Sequence, residues 1–253
     1  MKRERKKSLN MPPGTAHKVG DKNAKSDPSD VKFELESKSK HIQKIKEDVI
    51  VHGDMIKALA GEIRGWSGTT EPLLLFVREM ESKLVVLSDE NQILKYFQWP
   101  QAKMEALRES SALVEDLQKM GKTLSSWKEK DDAESLDKYQ AIDLIARCHA
   151  DLDKVAPKVE RMMCEARAMQ DKFAKFKIDL RVDALISEVK NASLSLALAA
   201  MRAALRHLSE DKAHMLKTFK FAFRVHQFSG DGLQGTACDL FREIHLQLQT
   251  LAQ

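Results

Sequence analysis

From residue 35 to the end of the chain, apolar side chains recur every three or four positions through runs far longer than a strand, with very few residues that break a helix. Only 10 glycines and 6 prolines punctuate 253 residues. Alanine, leucine, glutamate, lysine and methionine dominate instead, all of which lose little on entering a helix. The chain therefore reads as all-α, and 43% hydrophobic residues suffice for a packed core.

The net charge of +4 is not spread evenly. Residues 1–30 hold eight basic and four acidic side chains, leaving 34 of each sign in the remainder. The basic pI thus belongs to a tail and not to the body, which argues against a nucleic-acid-binding body. Residues 1–30 carry almost no large apolar side chains and read as a disordered basic arm. Its run Lys2, Arg3, Arg5, Lys6 and Lys7 suits an import signal or an anionic surface, or is simply solvated. No apolar stretch follows that run as in a signal peptide, and no 18-residue apolar run occurs, so the reading is cytoplasmic with no envelope anchor.

Residues 31–66 read as a coiled-coil helix. Leu35, Ile42, Ile45, Val49, Ile56, Leu59 and Ile63 form a seam at alternating heptad spacing, with Lys38 and His52 as lapses. Such a seam pairs with another copy or docks on its own domain; self-association is the expectation. Residues 70–253 read as one helical domain. Thr70 starts a helix of about seven turns ending near Phe97. Trp99-Pro100 separates it from a third helix that ends at Gly121. A polar connection over Thr123–Asp132 follows, then a helix from Leu136 to Phe176 with a break or kink at Pro157. Residues 181–208 form an alanine-rich central helix. A penultimate helix carries Phe219, Phe221, Phe223, Val225 and Phe228, and a last one Ala237, Leu240, Phe241, Ile244, Leu248 and Leu251.

Motifs that suggest chemistry weaken on inspection. Gly230 to Gly235 matches GxGxxG, but a dinucleotide site needs a strand before it and here a helix precedes. Cys148, His149, Asp151 and Asp153 are close in sequence, yet neighbours on a helix point apart and cannot share one ion. Cys148, Cys164 and Cys238 lack CxxC spacing and read as buried packing residues in a reducing compartment. Asn191-Ala192-Ser193 lies inside a helix and is set aside as a glycosylation site. No nucleophile elbow or triad pattern is present, so the chain reads as non-enzymatic, without cofactor or metal.

Three stretches carry a family resemblance: Gly53-Asp54 through Leu59 with Glu62-Ile63-Arg64; Leu94-Lys95-Tyr96-Phe97-Gln98-Trp99-Pro100 with Ala106-Leu107-Arg108-Glu109; and Phe221-Ala222-Phe223-Arg224-Val225-His226-Gln227-Phe228. In order and spacing they resemble the plant chloroplast unusual positioning family. That resemblance implies non-enzymatic cytoskeletal work in two branches, one tying chloroplasts to actin filaments, the other, increased petal growth anisotropy, associating with cortical microtubules. It also implies an elongated formin homology-like dimer whose preceding coiled coil aids pairing. The expectation is a cytoskeleton-associated protein that binds or organises actin filaments in organelle positioning. The alternatives are a cortical microtubule-associated protein, or an adaptor that forms heterodimers with longer family members. A nucleic-acid-binding protein acting through the basic arm is the reading from outside this class. The residues implied are Lys95, Trp99, Pro100 and Arg108 at an interhelical corner and Phe223, Arg224, His226 and Gln227 on the penultimate helix, as scaffold first and contact second. The chain departs from the family pattern at Asp89-Glu90-Asn91 and at Asp179, where charge or backbone geometry differs.

Overall fold

A computed structural model describes residues 28–128, 136–230 and 232–252, with the side chains of 28–37 and 128 outside the description. Most of the expected basic arm and of the polar connection over 129–132 therefore lies outside the described residues. Within them the chain is all-α: α1 (Pro28–Gly65), α2 (Thr70–Leu84), α3 (Glu90–Leu94), α4 (Gln101–Ser125), α5 (Lys138–Ala174), α6 (Val182–Ala192), α7 (Leu194–His207), α8 (Lys212–Ser229) and α9 (Thr236–Thr250). Among those residues the nearest thing to a sheet is one isolated parallel bridge, Gly68 to Ile178, where the Asp179 N–H donates to the Gly68 carbonyl at 2.9 Å.

The helix at the centre is α7. Ala197, Ala200, Ala203 and Ala204 are fully buried, and small side chains let α5, α8 and α9 pack closely around it. It begins one residue after α6 ends, so the single helix expected over 181–208 is two. At the joint the Ser193 hydroxyl donates to the Lys190 carbonyl at 2.5 Å, and the Ser195 hydroxyl reaches the Leu124 carbonyl of α4 at 2.7 Å. Short hydroxyl side chains that bond nearby backbone offer an alternative to helix continuation, which explains the break.

The long helix expected from Thr70 to Phe97 is likewise two, α2 and α3. Asp48 of α1 is buried and accepts the Ser88 backbone N–H at 2.9 Å, and bonds from Ser88 hold its carboxyl below the usual carboxylate range. Asp89 then caps α3 by accepting the Gln92 N–H at 3.0 Å. Thr69, not Thr70, precedes α2, and its side chain makes no capping bond. At the other expected boundaries the helices run on. Gly121 lies inside α4, which continues to Ser125 and a 3-10 turn at Ser126–Lys128, burying Leu124 and Trp127. Pro157 is exposed within an unbroken α5, so the carbonyl that loses its helical donor lies on the solvent side. A capping box of Asp137 and Gln140 starts α5.

The reading of 35–63 as a dimer seam is corrected from Ile45 onward. Ile45, Ile56, Leu59 and Ile63 are buried within their own chain, where α1 packs on α3 and α4. Val49 is partly buried against the same core, Ile42 is 51% exposed, and the Leu35 side chain lies outside the description. Heptad spacing gives a helix an apolar stripe but does not identify what covers it. Polar ties reinforce the docking: Lys83 bonds Glu62 at 3.1 Å, Lys103 donates to the carbonyls of Arg64 and Trp66 at 2.9 and 2.6 Å, and Arg64 donates to the Gln98 carbonyl.

Candidate protein-docking site on α8

The corner residues of the sequence reading have structural work. Pro100 sits just ahead of α4, at its N-cap position, and Trp99 donates its indole N–H to the Met104 sulfur at 3.1 Å. Arg108, one-third exposed, grips two carboxylates: Glu81 of α2 at 2.5 and 3.1 Å, and Glu90 of α3 at 2.9 and 3.1 Å. These paired bonds raise its already high pKa further, Glu81 contributing most. Lys95 is exposed and, among the described residues, bonds only Gln92, at 3.3 Å. Substituting Arg108 by alanine leaves Glu81 and Glu90 facing each other unneutralised. We expect a loss of about 2 kcal/mol in urea denaturation, below the value for a fully buried pair because solvent screens the site. A midpoint unchanged from wild type would show the network to be ornamental.

The penultimate-helix residues lie elsewhere, on a helix held by α5, α7 and α9. Met215, Thr218, Phe221, Ala222, Val225 and Phe228 of α8 face inward. Its outer side presents Lys212, Lys217, Lys220 and Arg224, together with Leu216 and Phe223 at 42% and 48% exposure. No aspartate or glutamate occurs between residues 212 and 229. The result is a cationic face with two large apolar side chains set into it. Phe223, Arg224, His226 and Gln227 are all exposed. Lys212, Leu216, Lys217 and Lys220 were missed, although the i, i+4 and i+8 spacing of Lys212, Leu216 and Lys220 and the absence of acids were readable in the sequence.

Two locks hold this face in place. Arg224 pairs with Asp153 of α5 at 2.5 Å. His226 Nδ1 accepts the Leu233 backbone N–H at 3.0 Å, which puts the ring proton on Nε2. The same ring explains Gly232, whose φ is +79° and where a Cβ would come within 2.7 Å of the imidazole. Two glycines of the GxGxxG match thus have steric work at the α8–α9 turn: Gly232 makes room for His226, and Gly235 precedes α9 with φ +54°.

Beneath α8, His149 stacks on Phe221 with ring centroids 4.1 Å apart, and its buried Nε2 has no hydrogen-bond partner among the described residues. Burial, then the Lys217 cation, push its pKa down; Asp153 opposes this and Arg224 adds to it. The neutral ring therefore favours the folded state. Stability is whole above the unfolded histidine pKa of about 6.5 and falls as pH drops through it toward the lower folded value. Thermal melting between pH 7.5 and 5.5 should fall more steeply for the wild type than for His149→Phe, which keeps the stack; parallel profiles would remove this role.

The other residues grouped by the sequence are engaged separately. Asp151 accepts the Trp127 indole N–H at 3.0 Å, Cys148 is buried, and Cys164 is exposed, contrary to the expectation that the thiols are buried. Among the described residues no group of three or more His, Cys, Asp or Glu side chains could hold a metal ion, and no helix is long and apolar enough to cross a membrane.

Comparison with known proteins places this geometry in a family. An Arabidopsis thaliana protein named "Uncharacterized protein At4g04980" is 28% identical over 253 residues, covering 93% of this chain and 34% of that protein. The chain thus spans about a third of the length of that relative. The family described as "IPGAL1-like, C-terminal domain", from the plant increased petal growth anisotropy proteins, matches residues 107–252, which run from within α4 through α9. That stretch is more than half of the chain and contains the whole of α8, so the chain belongs to the IPGAL1-like family.

Proposed function

We propose that this chain is a non-enzymatic protein that associates with cytoskeletal filaments, with the outer face of α8 as its contact. The observation that carries the reading is the exposed surface of Lys212, Lys217, Lys220 and Arg224 around Leu216 and Phe223, on a helix with no acid of its own, where Asp153 of α5 offsets only Arg224. Filament surfaces of tubulin and actin are acidic, and a cationic face steers toward them while apolar side chains hold what steering delivers. Membership of the IPGAL1-like family favours cortical microtubules, through the branch that the resemblance links to them, over the actin filaments expected from the sequence. Pairing with a second copy or a longer family member falls in this reading to the part of α1 ahead of Ile45, where residues 38–44 are exposed.

Co-sedimentation with microtubules and with actin filaments, at two salt concentrations and with or without residues 1–30, tests the proposal. Pelleting with microtubules that survives removal of the arm and weakens with salt is expected. Pelleting with actin alone would move the protein to the other branch. Pelleting that requires the arm would take the contact away from α8, and pelleting with neither filament would overturn the proposal.

A further inference from the structure

We propose that the groove between α4 and α5 is a second docking site, which takes an acidic amphipathic helix from a partner protein. The groove has a volume of about 600 Å³. Its two walls run antiparallel. Trp127 meets Asp151 at one end, and Glu109 pairs with Lys172 at the other.

The lining has two components. Met120, Met162 and Met169, backed by the buried Val155, supply an apolar surface of flexible side chains that adapt to irregular partners. Lys119 on the α4 wall and Lys154, Lys158 and Arg161 on the α5 wall supply cations, the last three at i, i+4 and i+7 along one stripe. Among the described residues Lys119, Lys158 and Arg161 have no carboxylate within 4 Å, and Lys154 has only Asp151, at 3.9 Å. Asp151 is itself bonded by Trp127. The two remaining acids of the lining, Asp116 and Glu165, lie toward the Glu109–Lys172 end, leaving the cations to dominate the rest.

This division selects the occupant. Residues 151–169 of α5 extend for about 27 Å, the length of a helix of roughly 18 residues. Such a helix would lay apolar side chains at i, i+3, i+4 and i+7 on the methionines and direct carboxylates at the cations of both walls. A basic helix, or a membrane-seeking one with a lysine-rich polar face, would meet like charge there. The surface is separate from α8 and rests on different residues, so it stands or falls independently of the filament reading.

The test uses the full chain and a synthetic 20-residue peptide with leucines at i, i+3 and i+4 spacing and flanking glutamates. Controls are a scrambled peptide of the same composition and a version with lysine in place of glutamate. Methionine ε-methyl NMR signals report the position. The expected result is movement of the Met120, Met162 and Met169 signals, with those of the buried core residues Met201 and Met215 unchanged. The ordered peptide should bind at least tenfold more tightly than either control, and Lys158→Glu with Arg161→Glu should weaken it tenfold or more. Unmoved groove signals, equal binding of the scrambled or lysine peptide, or wild-type affinity in the double variant would each overturn the proposal. The two peptide controls leave the protein unaltered, so the test does not depend on how the variant folds.

Discussion

Replacing Phe221 by alanine is expected to destabilise the chain by about 3–5 kcal/mol, the usual cost of removing a wholly buried aromatic ring. Phe221 is 1% exposed, and its ring covers His149 of α5, so truncation opens a cavity between α5 and α8 and uncovers an imidazole that is already short of partners. In a chain of this size the melting temperature should fall by roughly 10 °C. Phe223, two residues further along the same helix, gives the internal control. It is 48% exposed, so Phe223→Ala should leave stability within about 0.5 kcal/mol while weakening whatever docks on α8. Equal losses from the two substitutions would mean that the inward and outward faces of α8 have been assigned wrongly.

The second large effect is on binding. Lys217→Glu combined with Lys220→Glu reverses two of the four cations on the α8 face, the two chosen being cations that no carboxylate among the described residues pairs with. Filament pelleting should drop at least tenfold at low salt, and the residual binding should lose its salt dependence. The matched control is Arg167→Glu with Lys175→Glu, two exposed cations toward the C-terminal end of α5 and outside both proposed contacts, which changes net charge equally and should retain most of the pelleting. If both pairs lower pelleting alike, attraction is a matter of total charge and α8 has no special role; if neither does, the contact lies elsewhere.

How much of this could be read from the sequence follows from the range of the interactions involved. The helices themselves were legible because periodicity is local, and the penultimate and last helices appear where their apolar stripes put them. Helix ends set by long-range bonds were not. The break before α3 depends on Asp48, forty residues earlier, capturing a single backbone N–H, and the joint between α6 and α7 depends on a serine reaching into α4. The seam of α1 failed in a different way: its spacing was read correctly and its partner wrongly, since Ile56, Leu59 and Ile63 are equally content against another helix of the same chain. At the candidate site, the resemblance pointed to Phe223, Arg224, His226 and Gln227, whereas the lysines beside them were visible only as an absence of acids. The GxGxxG match was set aside as a dinucleotide site for want of a strand, but the work of Gly232 was not visible, because the ring it accommodates lies on the preceding helix.

The register of α4 has a practical consequence for anyone isolating the part of the chain that the family shares. The matched stretch opens at Leu107, inside a helix that began at Gln101 and has already buried Met104 and Ala106. That same helix packs on α2 as well as on α6, and through Arg108 it ties both α2 and α3. A fragment excised at the family boundary would start with a severed first turn and would strip α4 of the cover that Leu73, Val77 and Met80 belong to. The border of the family match and the border of the packed core therefore differ on this chain. The matched stretch is shorter than the packed unit, which the alignment with the Arabidopsis relative, at 93% of this chain, more nearly spans, and a stable recombinant fragment has to include the docked part of α1 as well.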